Sequence, residues 1–283
     1  MPLMTTSDGC RVHFEVRGAG GPAVVLIPGL GGDGRFWEPV AERLQSRFRL
    51  LIVDHRGAGR SDRPAGPYTI GRIARDVVEI MDEAGWARAH LVGHSTGGAV
   101  VQTLALDSPA RADHLVISGS WPGPDARFRT LFEARLALLE AGRPDIYQAF
   151  THVLGYDAAW IAAHEADLDA AVRRAGQALA PLPVAIARIR MLLAFDRAGE
   201  LGQIRAPTLI LGARDDEMIL FTQSERLARD IASATLVAFD GGHFYPRTRA
   251  DLFAQHVADF LVPGSAPAPN EDAPPAQRVD GPR

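Results

Sequence analysis

Short continuous apolar runs recur along the chain at 23–27, 48–53, 89–92, 115–117, 208–211 and 235–239. Runs of this length that do not alternate with polar positions predict strands buried on both faces. Between two of them Ile73, Val77, Ile80, Met81 and Ala84 recur at three- and four-residue spacing, and Gly85 follows where such a helix would stop. Strands alternating with helices predict the α/β class, a mostly parallel central sheet flanked by helices. Residues 11–16 instead alternate polar and apolar side chains, as an antiparallel strand at the sheet edge would.

The interval 121–206 has no strand pattern. Segments such as 128–139 and 166–179 carry helical spacing, with Phe128, Leu131, Leu138 and Leu139 reading as one packed face. The expected organisation is therefore a core of residues 1–120 and 207–262, interrupted by a helical lid at 121–206 over the carboxyl end of the sheet, where open α/β sheets bind ligands. Residues 263–283 contain Pro263, Pro267, Pro269, Pro274, Pro275 and Pro282 and little that is large and apolar, so they are expected to form a disordered tail.

Charge changes this picture by exclusion. Thirty basic against thirty-four acidic residues give a net charge of −4, with no broad positive field for a nucleic-acid backbone. Cys10 is the only cysteine, so no internal disulfide or thiolate metal cluster is available, which suits a reducing compartment. No signal-peptide pattern and no apolar run near the roughly 18 residues of a membrane span are present. The expectation is a cytoplasmic monomer or homodimer acting on a small molecule, with no metal, cofactor, nucleic acid or membrane partner.

The chemistry concentrates at Gly93-His94-Ser95-Thr96-Gly97, a G-x-S-x-G sequence directly after a predicted strand and before a helical run. In that context it forms a nucleophile elbow, a strained turn that exposes the Ser95 hydroxyl and directs the Thr96 amide at a developing oxyanion. Without the context it would be a turn with a capping serine. Serine needs a base, itself oriented by an acid. His243 follows the last predicted strand within Asp240-Gly241-Gly242-His243, and Asp215 and Asp216 follow the strand before it. The strand register leaves either aspartate able to face the histidine. Gly29-Leu30-Gly31-Gly32-Asp33-Gly34 also fits G-x-G-x-x-G with Asp54 twenty residues on, the dinucleotide fingerprint, yet no clean helix opens at its second glycine. The same loop can offer the Leu30 amide as a second oxyanion donor. Trp121, which opens the lid, and Arg188 and Arg190, within the apolar run 184–195, are candidates for substrate contact, the arginines as a carboxylate clamp.

Together the loop 28–32 with Trp37, the segment 54–61, the elbow at Ser95 and Gly241-Gly242-His243 resemble the α/β-hydrolase superfamily over nearly all of residues 10–262. Within it the chain is similar to the small-substrate branch of 3-oxoadipate enol-lactonases and the aminoacrylate hydrolases of uracil degradation. The resemblance implies an acid nine residues after the proline preceding its strand, which from Pro207 is Asp216; Leu220 stands where the family carries a second proline, and Pro28 where it usually carries a histidine. It further implies a serine hydrolase, EC 3.1.1 in type, cleaving an ester, enol-lactone or amide-type bond of a small metabolite that can be carboxylated, with Ser95, His243 and Asp216. A carbon–carbon bond hydrolase, a cofactor-free perhydrolase or a non-catalytic ligand-binding protein are the alternatives that share these residues.

Overall fold

A computed structural model describes residues 3–262. Its centre is an eight-stranded sheet of order β1-β2-β4-β3-β5-β6-β7-β8: β1 Leu3–Thr5, β2 Arg11–Arg17, β3 Ala23–Ile27, β4 Arg49–Val53, β5 Ala89–His94, β6 Ala112–Ser118, β7 Thr208–Ala213 and β8 Ala234–Phe239. From β4 onward the pairs are parallel, while β1 and β2 run antiparallel. The strand expected at the edge is thus second from it. β1 covers it, and three residues are too few to show a period in the sequence.

Strands β3–β7 read as continuous because both faces are covered, whereas β8, at the sheet edge, is half-buried with Thr235 exposed, unlike the doubly buried strand expected at 235–239. Val24 and Leu26 point to one core, with Leu50 and Ile52, while Val25 and Ile27 point to the other, with Leu51 and Val53. The first core is closed by α1 Glu38–Leu44 and, at the chain's far end, by α12 Ala250–Leu261; the second by α2 Ile70–Glu83, α3 Thr96–Asp107 and α10 Phe221–Asp230. The period-2 alternation within each strand therefore sorts between two apolar cores rather than between core and water.

Between β6 and β7 lie only helices: α4 Ala126–Glu140, α5 Pro144–Gly155, α6 Ala158–Ala163, α7 Glu165–Arg173, α8 Ala175–Ala178 and α9 Leu182–Leu193, then a short 3-10 turn at Ala198–Gln203. The buried face of α4 is Phe128, Phe132, Arg135 and Leu139; Leu131 and Leu138 of the expected face are half-buried and pack against the same core. α11, Tyr245–Thr248, follows β8. No helix among the described residues is long and apolar enough to cross a membrane. The expected tail, 263–283, lies outside the described residues.

Candidate active site

β5 runs into α3 through Ser95, the single non-glycine residue with positive φ among the described residues (φ 55°, ψ −116°). For a residue with a Cβ this conformation costs about 1–3 kcal/mol and persists only where the surroundings enforce it. They do: the Ser95 amide donates to the Ser118 carbonyl at 2.8 Å, and the Ser95 carbonyl accepts from the Gly98 amide and from Ser120 Oγ, both at 2.9 Å. Flanking glycines are required by space. A Cβ at Gly97 would stand 2.0 Å from the Ile27 carbonyl oxygen, and one at Gly93 would stand 2.2 Å from that of Gly97. Ser95 itself lines a cavity of about 600 Å³, and Thr96 opens α3, whose positive dipole end faces that cavity's serine.

His243 reaches the same cavity from the loop after β8. Its Nδ1 lies 2.7 Å from Oδ2 of Asp216, both side chains being buried. The other carboxylate oxygen, Oδ1, accepts from the amides of Met218 and Ile219 at 2.9 and 2.8 Å. With Nδ1–H donated to a carboxylate, the Nε2 lone pair is left available to accept a proton. Asp215 turns the other way and accepts from the Gly241 amide at 2.9 Å and the Gly242 amide at 3.0 Å. Two successive backbone N–H groups thus cradle this anion and fix the turn that delivers His243.

Beneath the imidazole a buried polar chain is fixed by proton counting. Tyr245 spends its single hydroxyl proton on the Leu211 carbonyl (2.8 Å), so Ser118 donates to Tyr245 Oη (2.6 Å) and in turn accepts from His94 Nδ1 (3.0 Å). Burial, reinforced by His243, holds the His94 pKa well below that of a free imidazole. Its neutral ring lies 4.7 Å from that of His243, centroid to centroid.

The loop after β3 packs on the elbow: a Cβ at Gly29 would lie 3.2 Å from Ser95 Cβ, and Leu30 lines the cavity beside it. Asp54, the acidic residue of the dinucleotide pattern, is consumed inside the protein. Its Oδ1 accepts from the Gly34 amide at 2.7 Å and its Oδ2 from the Arg60 amide at 2.9 Å, so it anchors this loop instead of facing a ribose.

Of the three residues expected to meet substrate, one reaches the cavity. Trp121 is fully buried against Phe128 (4.6 Å between centroids) and Phe195 (6.0 Å) and does not line the cavity; an aromatic at the sheet's exit packs under the helices rather than above Ser95. Arg190 corrects likewise: its side chain is 63% exposed and pairs with Glu140 at 2.7 Å, since it lies on the outer face of α9. Arg188, two residues earlier, faces inward and lines the cavity, donating to the carbonyls of Leu30 (2.7 Å) and Arg56. Burial pushes its pKa down to about 10. A second buried arginine on the cavity wall, Arg135, went unread in the sequence because an arginine within a helical pattern ordinarily denotes a solvated face. Its spacing from Phe128 and Phe132 is the signal that places it on their side of α4.

The fold defines an α/β hydrolase. Residues 22–156 match the family model described as alpha/beta hydrolase fold, and the chain belongs to that family. It is 42% identical over 261 residues to the protein of Variovorax paradoxus (strain S110) named "Putative carbamate hydrolase RutD", covering 90% of this chain and 98% of that one. A protein of the same name from Caulobacter sp. (strain K31) is 39% identical over 263 residues, 90% of this chain and 97% of its own. The crystal structure of the enol-lactonase from Burkholderia xenovorans LB400 superposes with a TM-score of 0.84 at 26% identity, over 92% of this chain and 99% of that one.

Proposed function

We propose that the protein is a serine hydrolase that cleaves an ester, enol-lactone or amide-type bond of a small carboxylate-bearing metabolite through an acyl-enzyme. The observation that carries this reading is the convergence, in one cavity, of a strained serine after β5 and a histidine whose Nδ1 is held by a buried carboxylate. Ser95 Oγ attacks the carbonyl carbon while His243 Nε2 takes the hydroxyl proton, and Asp216 holds the tautomer and stabilises the imidazolium. The oxyanion is received by the amides of Leu30 and Thr96, each worth about 3 kcal/mol in comparable sites. Collapse expels the leaving group with the proton from His243, and a water, deprotonated by the same imidazole, releases the acid and regenerates Ser95. The chemistry calls for no metal or cofactor. Helices α4–α9 act as a lid, residues 121–206, over the core formed by 1–120 and 207–262.

A small substrate is supported by the cavity volume of about 600 Å³ and by the names of the relatives, a carbamate hydrolase and an enol-lactonase. An anionic one is supported by two buried arginines on the cavity wall, neither paired with a carboxylate among the described residues. The test is turnover by Ser95→Ala on a panel of esters and enol-lactones. Abolished hydrolysis with the fold intact supports the reading, and retained hydrolysis contradicts it.

A further inference from the structure

Arg135 has a chemical environment that its neighbours do not complete. It projects from α4 and is 2% exposed, yet its donors meet only neutral groups: Nη2 reaches the Tyr147 hydroxyl and Thr151 Oγ1, both at 2.9 Å, and Nη1 reaches the Met218 thioether at 3.2 Å. Its Nε is buried and has no partner among the described residues. Its guanidinium lies over the faces of Tyr147 and Phe132, with 4.7 and 5.2 Å from Cζ to the ring centroids. Three neutral acceptors and two rings do not neutralise a buried cation, and charges of this kind are normally paired.

Other arginines here show the contrast. Arg56, as deeply buried, is held by Asp76 and Asp8, and Arg35 at the cavity mouth is held by Asp33. Arg188 also lacks a carboxylate, but its fork is occupied by the carbonyls of Leu30 and Arg56, so it secures the loop that bears the Leu30 amide. Among the described residues Arg135 alone combines burial, a place on the cavity wall and a guanidinium edge with no strong acceptor.

We propose that Arg135, steadied by Tyr147 and Thr151, is the specificity-determining residue that binds the carboxylate of the substrate, and that the protein selects short-chain carboxylates over their neutral counterparts. That this carboxylate belongs to a substrate rests on the hydrolase reading; the binding itself does not. With both Nη2 protons given to Tyr147 and Thr151, the guanidinium offers a carboxylate its remaining Nη1–H in a charge-assisted N–H···O bond, and the counter-charge relieves the unpaired burial.

Isothermal titration of the full chain with butanoate and hexanoate, and with butanamide and hexanamide, tests this without turnover. The unaltered protein is expected to bind the acids at least ten-fold more tightly than the amides. Arg135→Gln should abolish that preference while leaving amide binding unchanged, Arg135→Lys should keep part of it, and Arg190→Gln should match the unaltered protein. Equal binding of acid and amide by the unaltered protein overturns the proposal even if Arg135→Gln does not fold, as does undiminished acid binding by either Arg135 variant. Failure of the hydrolase reading shows separately, as hydrolysis retained by Ser95→Ala.

Discussion

Asp215 and Asp216 are adjacent in the chain and hold opposite ends of one device: Asp216 Oδ2 lies 2.7 Å from His243 Nδ1, while Asp215 Oδ1 lies 2.9 Å from the Gly241 amide in the turn that carries that histidine. The backbone leaves β7 with one carboxylate aimed at the imidazole and the other at the loop. Replacing each should therefore fail in a different way.

Asp216→Asn should lower kcat by about ten-thousand-fold, because an amide no longer fixes the tautomer that leaves Nε2 free. Asp215→Ala should instead cost about 1–3 kcal/mol of stability, from two buried amides left without acceptors, with a smaller loss of activity. Steady-state kinetics together with urea unfolding of both variants separate the two roles. Equal kcat losses with unchanged stability would contradict the assignment.

The elbow has no room for a methyl group. Gly97→Ala brings a Cβ to within 2.0 Å of the Ile27 carbonyl oxygen, so β3 and α3 must move apart. Overpacking of this kind costs about 1–3 kcal/mol, and the displaced Ser95 should lose most of its activity. A lowered urea midpoint accompanied by lost turnover is the expected result.

Arg188 ties the helical segment to the loop of Leu30. Arg188→Gln should lower kcat by up to about a hundred-fold through misplacement of the Leu30 amide, with a smaller change in KM. Arg188→Lys, which keeps a donor for the Leu30 carbonyl, should recover part of the loss. A change confined to KM would instead make Arg188 a substrate ligand.

Buried histidines make the fold sensitive to acid. Burial holds His55 and His94 well below the ordinary imidazole pKa, so both are neutral in the folded protein while the unfolded chain protonates them below about 6.5. Stability is full above that pH and falls as pH drops through it towards the depressed folded-state values, by about 1.4 kcal/mol per pH unit for each histidine. Urea midpoints at pH 7.5, 6.5 and 5.5 should be similar between the first two and clearly lower at the third.

What could be read from sequence follows from how local each signal is. The elbow is legible because strand, tight turn and helix all lie within residues 89–107, and the sheet class is legible because β3–β7 bury both faces. β1 is too short to carry a period. Whether Trp121 faces the cavity depends on Phe128 and Phe195, which no local pattern reports. The same holds for the inward turn of Arg188 and the outward turn of Arg190 on one helix. Arg135 lay hidden because buried charge contradicts the apolar face expected of a packed helix, and a polar residue that breaks such a face is where a site can be sought.

The central claim is that Ser95 is a nucleophile activated by His243. A fluorophosphonate probe followed by peptide mapping addresses it directly. The expected result is one covalent adduct per chain, on the peptide containing Ser95, absent in Ser95→Ala and strongly slowed in His243→Ala. No adduct on the folded, unaltered protein, or an adduct that persists on another residue when Ser95 is removed, would contradict it.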